Sequence, residues 1–546
     1  MKFNNTYLFL SGALALAAGC SQPQKSGTTV SGDDIKSNVA VLANDSMMGR
    51  KPFTPGETKT INYLESQFKK YGLEPGNNGK YFQEVPMVEI TSTPSAMTIS
   101  GKTNTVLNPS ADFVALTRRE VDTVQLKNSP LVFVGYGVVA PEYKWNDYAG
   151  IDVKGKTVVV LVNDPGFKSG DPTLFHGDTM TYYGRWTYKY EEAARQGAAG
   201  ILIVHQTEPA SYPWQVVNTS NTGAKLELTQ DNKHLNRCKV EGWITEEAAT
   251  KLLSSAGITG DFRALARKKD FKAIPLNADV SLSVQTKLKY SKSYNVVAMQ
   301  KGSTTPNEYI VYSAHWDHLG IGKPDANKDS IYNGAVDNGS GSAALLAIAK
   351  AFSEAKEKPK RSVVFLSVTA EEQGLLGSEY YAAHPIFPVN KTVANLNMDA
   401  LHPYGESNDI AVTGKGQNEL EDQLAELAKA DGRILVGDPK PGAGSYYRSD
   451  HFNFAKVGIP ALDINGGTDS KAHGKEWGLK QEEEYTSKHY HQPSDNYSPD
   501  MDVSGMVQTA DLLYRLGTKL ANEGTWPGWK AGSEFKAIRD KSMGIK

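Results

Sequence analysis

Two adjacent glutamates, Glu371 and Glu372, follow the apolar run SVVFLSV, where a buried strand is expected to end. Neighbouring residues on an extended chain point to opposite sides, so we expect the two carboxylates to have different tasks. One could bind a fixed cation while the other reaches a reacting water molecule. The alternative is that the strand has ended and both side chains are solvated, as charged side chains usually are.

Other acidic and imidazole side chains also come directly after predicted strands or in loops. In chain order these are His315, Asp317 and His318 after EYIVYSA, Asp337 in GAVDNGSG, Asp399 after ANLNM, and His489 and His491 in HYHQPSD. Each residue alone carries little information, because a single histidine is most often structural. Together they would bring many unpaired charges to one edge of a sheet, which is costly unless a metal ion balances them.

The residue types favour zinc. Imidazole and carboxylate are ordinary zinc ligands, about four per ion, with one position left open for water. Two ions about 3.5–4 Å apart need a bridging carboxylate, and Asp337, in a tight glycine-rich turn, suits that position. The same turn resembles a phosphate-binding loop before a helix, but it lacks both the G-K-[ST] ending and the G-x-G-x-x-G pattern. Cobalt and manganese stay open as alternatives to zinc, because affinity order and availability decide the metal.

The region that contains these residues alternates apolar runs with helical segments. Predicted strands cover 308–314, 361–370, 392–400 and 459–464, and predicted helices cover 340–356 and 417–432. The alternation predicts an α/β fold with a mixed, largely parallel sheet flanked by helices. Chemistry in such sheets gathers at the carboxyl ends of the strands, where the candidate residues stand.

Length and charge narrow the classes of protein that remain. A chain of 546 residues is too long for one hydrophobic core, so two or more domains are expected. Lys and Arg total 59 against 61 Asp and Glu, and this balance gives no support for nucleic-acid binding.

The first twenty residues, MKFNNTYLFLSGALALAAGC, combine a positive start, an apolar stretch too short to span a bilayer, and small residues before Cys20. They resemble a bacterial lipoprotein signal, which implies a lipid anchor on Cys20 and a place in the bacterial cell envelope, at the outer membrane facing the periplasm. The alternative is an ordinary secretory signal and a secreted protein. Residues 21–34 are small and polar and predict a flexible tether. Cys238 would then be a free, structural thiol.

Five segments carry a specific resemblance when they are taken in order: SAHWDHLG, GAVDNGSG, TAEEQGLLGS, NMDA and YHQPSD. The chain from about Val39 to Leu520 resembles the co-catalytic zinc aminopeptidase family, which includes bacterial leucyl aminopeptidases, glutamate carboxypeptidases and the transferrin-receptor fold. The resemblance implies two Zn²⁺ ions per chain. The implied ligands are His315 and Asp399 for one ion, Glu372 and His491 for the other, and Asp337 as the bridge.

The same resemblance implies roles for residues around the metals. Glu371 would be the general base, and Asp317 would fix the ring orientation of the ligand His315. Arg448, in YYRSDH, resembles a carbonyl-contacting arginine of some relatives, with a structural ion pair as the alternative. His491 fits the register of the family segment better than His489 does.

Residues 129–267 form a β-rich block that resembles a protease-associated domain inserted into the peptidase domain. The zinc peptidase domain would then comprise 35–128 and 268–525, followed by a basic tail, 526–546, that we expect to pack loosely. Within the insert, contact of Tyr182, Tyr183 or Arg185 with substrate is a hypothesis, and structural packing is the alternative.

These observations predict a metal-dependent exopeptidase, and foremost an aminopeptidase that hydrolyses N-terminal residues from peptides. Three rivals stay open: a carboxypeptidase of the glutamate type, a glutaminyl cyclase, and a binding protein of the same fold without metals. Peptides are the expected partners, and the lipid anchor is the only expected contact with a membrane.

Overall fold

The computed structural model describes Met1 and residues 29–545. Cys20 lies outside the described residues, as does the rest of the predicted signal segment after Met1. Within the described part of the chain, every helix is too short or too polar to cross a membrane. Cys238 is buried and has no cysteine partner there, as expected of a structural thiol.

The end of the predicted tether, residues 21–34, is folded against the rest of the chain. The backbone N–H of Thr29 donates to Asp511 at 2.8 Å, Val30 is buried, and a helix begins at Gly32. The prediction is therefore wrong for this end of the segment, because one apolar side chain and one helix N-terminus hold it in place. Residues 21–28 lie outside the described part of the chain.

Helices cover both faces of a central sheet. In chain order the α-helices of residues 29–545 are α1 (Gly32–Leu42), α2 (Pro55–Lys70), α3 (Trp186–Arg195), α4 (Thr207–Ala210), α5 (Trp214–Ser220), α6 (Glu246–Ser255), α7 (Phe262–Ala266), α8 (Gly341–Glu354), α9 (Leu376–Ala383), α10 (Leu420–Ala430), α11 (His451–Lys456), α12 (Lys475–Lys488), α13 (Ser504–Glu523) and α14 (Lys536–Met543).

The strands of the same residues range from two to 27 residues in length. They are β1 (Glu74–Pro75), β2 (Phe82–Pro94), β3 (Met97–Ser100), β4 (Thr105–Leu107), β5 (Phe113–Leu116), β6 (Thr123–Phe133), β7 (Val139–Ala140), β8 (Trp145–Asn146), β9 (Thr157–Leu161), β10 (Gly200–Val204), β11 (Ala224–Leu228), β12 (Val240–Ile244), β13 (Ile274–Gln300), β14 (Thr305–His315), β15 (Gly320–Ile321), β16 (Ile331–Tyr332), β17 (Arg361–Val368), β18 (Thr392–Asn397), β19 (Asp409–Val412), β20 (Ile434–Gly437) and β21 (Ala461–Gly466).

The central sheet has the neighbour order β13, β17, β14, β18, β21, β19, β20. Strands β17, β14, β18 and β21 run parallel to one another. Strand β13 is antiparallel to β17, and β19 is antiparallel to β21 but parallel to β20. The sheet is therefore mixed and largely parallel with flanking helices, which confirms the predicted fold class.

Alternate residues of β17 face two different cores. Val363 and Phe365 pack in the core that α1, α2, α8 and α13 cover, whereas Val364 and Leu366 pack in a core with residues of α9 and α11. Because both faces of the sheet are covered, this strand is a continuous apolar run and shows no alternation.

The long strand β13 connects the central sheet to a second group of strands. Its last five residues pair with β17, whereas residues 274–285 pair with β6, which is followed by β9, β10, β12 and β5. A separate hydrophobic core around these strands begins at Met97 and ends at Val284. This core includes residues that precede position 129 and residues that follow position 267. The assignment of residues 129–267 as a protease-associated insert stays a prediction.

The parallel arrangement brings the ends of β14, β17 and β18 to one edge of the sheet. His315 is the last residue of β14 and stands opposite Val368, the last residue of β17. Strand β18 ends beside them at Asn397. Glu371 and Asp399 follow their strands within three residues, so all of these side chains start from the same edge.

The C-terminal segment 526–546 packs closely in its described part, contrary to the expectation of a loose tail. Trp529 and Phe535 are 4% and 2% exposed and lie in a cluster with Tyr447 and Phe452. The basic composition of the segment predicted exposure, but its two large aromatic side chains bury against the folded chain and decide its position.

Candidate metal centre

Asp337 lies in the middle of the residues that the sequence analysis selected. Its Oδ1 lies 3.4 Å from Nε2 of His315, and its Oδ2 lies 3.1 Å from Nε2 of His491. The same nitrogen of His315 lies 3.1 Å from Oδ1 of Asp399, and that of His491 lies 3.1 Å from Oε2 of Glu372. Each histidine is thus paired with one carboxylate, and Asp337 stands between the two pairs.

The donor atoms are close enough together to hold metal ions. Ligand atoms of His315, Asp337 and Asp399 lie within 4.8 Å of one another, and so do those of His318, Asp337 and Glu372. Imidazole nitrogen and carboxylate oxygen are the usual non-sulfur ligands of zinc, and a carboxylate shared by two groups suits a bridged pair of ions. All of the predicted ligands therefore come together, and the residues present fit a metal centre.

His318, to which the sequence analysis gave no role, belongs to this cluster as well. Its ring is fully buried, and Nδ1 lies 2.6 Å from Oε1 of Glu372, so the two oxygens of Glu372 face His318 and His491. His489 instead lies near the surface with Nδ1 2.9 Å from the hydroxyl of Ser494. The structure thus brings His491, and not His489, to the cluster.

Two histidines balance part of the acidic charge. Burial opposes ionisation of His491, but hydrogen bonds to the carboxylates on either side outweigh it and raise its pKa to about 10. Burial also opposes ionisation of His315, yet the charges of Asp399 and Glu371 hold its pKa well above the usual value. Both rings must lose a proton before they bind a metal.

The chain is similar to known peptidases. Residues 295–516 match the model of peptidase family M28. This segment contains every candidate ligand and Glu371, so the resemblance to a peptidase family that the motifs implied is confirmed for this part of the chain.

Comparison with individual proteins also finds aminopeptidases. The chain is 33% identical over 132 residues to aminopeptidase NAALADL1 of Mus musculus, covering 23% of this chain and 16% of that protein. It is 25% identical over 451 residues to an aminopeptidase of Pseudomonas aeruginosa, covering 80% of this chain and 68% of that protein. The solved aminopeptidase from Aneurinibacillus sp. strain AM-1 superposes with a TM-score of 0.48 at 19% identity, over 91% of this chain and 96% of that chain. The aligned part of the chain thus spans about a sixth of the mouse protein.

Within residues 295–516, hydrogen bonds to its backbone hold Asp337 in position. The carboxylate of Asp495 accepts hydrogen bonds from the N–H of Asp337, at 3.1 Å, and of the residue before it, at 3.0 Å. The side chain of Asn338 donates to the carbonyl of Met398 at 3.0 Å, and the peptide bond between Asp337 and Asn338 is cis. Asp495 lies in the same loop as His491, so one loop supplies both a candidate ligand and the support of the bridging residue.

A buried arginine that precedes residues 295–516 connects two of the loops that carry candidate ligands to the end of α1. Arg50 donates through Nε to the carbonyl of Trp316 at 2.9 Å, through Nη2 to Gly334 at 2.9 Å, and through Nη1 to Leu42 at 2.8 Å. Burial lowers the pKa of Arg50 to about 10, while nearby carboxylates, Asp495 foremost, act in the opposite direction. The sequence alone does not reveal this role of Arg50, because the residue lies 266 positions before Trp316 and belongs to no repeating pattern.

Asp317 contacts the cluster differently from the prediction. Nδ1 of His315 lies 3.2 Å from the backbone oxygen of Asp317 and 3.8 Å from its carboxylate. The carboxylate itself accepts the backbone N–H of Glu371 at 3.0 Å and of Glu372 at 3.4 Å. Burial raises the pKa of Asp317 to about 7. Asp317 therefore orients the histidine through its backbone and the two glutamates through its side chain.

Glu371 lies at the rim of the cluster. Its Oε2 is 3.9 Å from Nε2 of His315, and its side chain is 11% exposed. Burial holds the pKa of Glu371 well above its usual value, and the charges of Asp399 and Glu372 act in the same direction. A carboxyl group with a raised pKa is suited to exchange protons near neutral pH.

Asp399 is held by the segment that also carries Arg448. The hydroxyl of Ser449 donates to Oδ2 of Asp399 at 2.5 Å and accepts from the amide of Asn397 at 2.9 Å. Arg448 is exposed and donates through Nη2 to the carbonyl of Ala443 at 2.7 Å. It forms no ion pair with the described residues, so the alternative of a structural ion pair finds no partner there, and contact with substrate stays a prediction.

Proposed function

We propose that this protein is a metal-dependent aminopeptidase that removes N-terminal residues from peptides with the help of two zinc ions. The observation that carries the proposal is the position of Asp337, whose two oxygens face His315 and His491 in two separate groups. The match of residues 295–516 to peptidase family M28 supports hydrolysis of peptides. Similarity to an aminopeptidase of Pseudomonas aeruginosa over 80% of this chain supports action at the N-terminus.

The proposed ligands follow from the contacts. One ion would be held by His315 and Asp399, the other would be held by Glu372 and His491, and Asp337 would serve both. Zinc at these positions supplies Lewis-acid chemistry, since it makes water more acidic and polarises a carbonyl group. The carboxylates of the cluster also attract the positively charged α-amine of a peptide, which favours substrates with a free N-terminus.

Glu371 performs the proton transfers in this proposal. Its Oε2 takes a proton from the water that attacks the scissile carbonyl and then gives that proton to the departing amine. The carboxylate of Asp317 accepts the backbone N–H of Glu371 and so directs the side chain of Glu371 toward the cluster. His318 contacts the side chain of Glu372 and so holds this proposed metal ligand in place. The two adjacent glutamates therefore have separate tasks.

The substitution Glu371→Gln tests the proposed base. We expect the variant to bind zinc normally and to lose turnover by about 10²–10⁴-fold, because an amide cannot accept the proton. Turnover of a free-amine peptide is measured beside the zinc content of the same sample. Glu357→Gln is the matched control, since Glu357 is exposed and follows the C-terminal end of α8. This helix has 14 residues and is therefore about 21 Å long, and its other end lies next to the turn that carries Asp337. Undiminished turnover of the Glu371 variant would contradict the assignment.

The end of the peptide that is shortened tests the direction of action. Free-amine peptides should lose residues from the N-terminus, whereas N-acetylated copies should stay intact, as mass spectrometry of the digests would report. Shortening from the carboxyl end would instead favour a carboxypeptidase. Conversion of an N-terminal glutamine to a ring without cleavage would favour a glutaminyl cyclase.

The N-terminal sequence supports a further part of the proposal, namely attachment to the bacterial cell envelope through a lipid on Cys20. Growth with a fatty acid that carries a chemical tag should label the wild-type protein and leave a Cys20→Ser variant unlabelled. Equal labelling of both proteins, or none of either, would contradict the lipid anchor, and a soluble secreted protein would then be expected.

A further inference from the structure

Three buried hydrogen-bond donors in the second group of strands have no acceptor among the described residues. They are the hydroxyl of Tyr136, Nη1 of Arg263 and Nε of Arg267. Tyr136 is fully buried, and Arg263 is only 8% exposed. Neither arginine forms an ion pair in the described part of the chain, and each donates to one backbone carbonyl. Buried polar groups and charges of this kind are costly unless a partner binds them.

The three side chains lie at the carboxyl ends of parallel strands. Strands β6, β9 and β10 run parallel to one another, and Tyr136 follows the end of β6 by three residues. Arg263 donates through Nη2 to the carbonyl of Val162, the first residue after β9, at 3.0 Å. Its Nε donates to the side chain of Gln206, two residues after β10. In sheets of this kind, ligands bind at the carboxyl ends of the strands.

Helix α7 directs both arginines to this place. The backbone N–H of Arg267 donates to the carbonyl of Arg263 at 3.0 Å, so the two residues are one helical turn apart on the same side of α7. Cζ of Arg263 lies 5.8 Å from the ring centre of Tyr136. Nη2 of Arg267 donates to the carbonyl of Phe167 at 2.9 Å, in the loop that follows β9. Burial raises the pKa of Tyr136, and the charges of both arginines act in the opposite direction.

Nearby carboxylates do not neutralise the two arginines. Asp147 and Asp164 are buried, and each of their oxygens already accepts a hydrogen bond from a backbone, hydroxyl or indole donor. Both carboxylates face Lys189, which is itself fully buried. Glu246 is exposed, and a glutamine stands between it and Arg263. The positive charge of the arginines therefore stays unbalanced within the described part of the chain.

We propose that Tyr136, Arg263 and Arg267 bind one small oxyanion of the size of phosphate or acetate. Arginine side chains donate charge-assisted hydrogen bonds to the oxygens of both anions, and the tyrosine hydroxyl supplies a further donor. A buried water molecule could accept the same hydrogen bonds, but it could not balance the charge. The site uses no residue of the candidate metal centre and does not depend on the proposed function.

Equilibrium dialysis with radiolabelled phosphate, and separately with radiolabelled acetate, tests the site. The full-length chain is kept in a zinc chelator, because the metal-free carboxylates of the candidate metal centre repel anions. We expect saturable binding of one anion per chain, and the anion that binds more tightly tells whether phosphate or a carboxylate is preferred. An anion retained from the cell is measured by ion chromatography after unfolding in acid. Absence of both saturable binding and a released oxyanion would overturn the proposal in favour of buried water.

The substitution Tyr136→Phe tests the hydroxyl without removing a charge. We expect it to weaken binding of the preferred anion by about tenfold or more, as for a hydrogen bond to a charged group. Tyr148→Phe is the matched control, since the hydroxyl of Tyr148 is also buried without a partner among the described residues. Tyr148 packs in a different hydrophobic core from Tyr136 and should keep the wild-type affinity. Wild-type affinity of the Tyr136 variant would overturn the proposal.

The substitution Arg267→Gln tests the charge. Arg267 is partly exposed, so this variant is expected to fold even where Arg263→Gln does not, and it should weaken binding by about tenfold or more. Lys269→Gln removes the same charge from an exposed position two residues further on and should keep the wild-type affinity. Equal weakening by both substitutions would show attraction by general charge alone and would overturn the site.

Discussion

Asp317 offers a sharp test of how the metal centre is organised. The two carboxylate oxygens of Asp317 accept hydrogen bonds from two adjacent backbone N–H groups, that of Glu371 at 3.0 Å and that of Glu372 at 3.4 Å. In Asp317→Asn one oxygen remains, and it should stay on the shorter bond to Glu371. The new amide group then faces the N–H of Glu372, where a donor meets a donor.

The expected magnitude follows from that geometry. A hydrogen bond to a charged group contributes about 1.5–3 kcal/mol, which corresponds to about tenfold to 150-fold in an equilibrium constant. Because the loss falls on the proposed ligand Glu372, zinc affinity of Asp317→Asn should drop by about 10–100-fold, with a smaller effect on kcat at saturating zinc. Asp317→Ala removes both acceptors, so it should lower zinc affinity and kcat together.

The assay combines a zinc titration against a competing chelator with kcat at saturating zinc, both at pH 8. This pH lies above the pKa of about 7 to which burial raises Asp317, so the wild-type carboxylate is ionised. Asp270→Asn is the control, because Asp270 is exposed on the surface. The reasoning is refuted if Asp317→Ala keeps both wild-type zinc affinity and wild-type kcat.

Two further predictions concern charge in the same region. The raised pKa of His491, about 10, means that this ring is protonated at pH 8 and must release its proton to metal, so zinc affinity should rise with pH up to about 10. Calorimetry in two buffers of different ionisation enthalpy should therefore report about one proton more released per chain at pH 8 by the wild type than by His491→Gln; equal release from both proteins would contradict the assignment. Arg50→Lys keeps the charge but cannot reach the carbonyls of Leu42, Trp316 and Gly334 at the same time, so thermal unfolding should show a loss of about 3 kcal/mol or more, and an unchanged midpoint would show that these contacts do not support the centre.

The sequence was most informative where polar residues directly follow apolar strands. His315, Glu371 and Asp399 could be found because buried parallel strands are continuous apolar runs, and the strand ends must meet at one edge. The central sheet and its flanking helices could be predicted for the same reason. The choice of His491 over His489 required the family register, since both histidines lie in one polar loop.

Contacts that depend on the backbone path could not be found in this way. The direction of the Asp317 carboxylate depends on the turn after β14, and Arg50 reaches its partners only after distant parts of the chain have folded together. His318 belongs to the segment SAHWDHLG, but nothing in its spacing distinguishes a residue that holds Glu372 from a structural histidine. The basic charge of the C-terminal segment predicts exposure, but burial of its aromatic residues, Trp529 and Phe535 among them, outweighs that charge.

The most direct test of the central claim is a crystal structure of the zinc-saturated protein with anomalous data at the zinc absorption edge. The account predicts two zinc peaks per chain, one beside His315 and Asp399 and the other beside Glu372 and His491, with Asp337 in contact with both. A single peak, or none at saturating zinc, would contradict the proposal that two ions share the bridging carboxylate of Asp337.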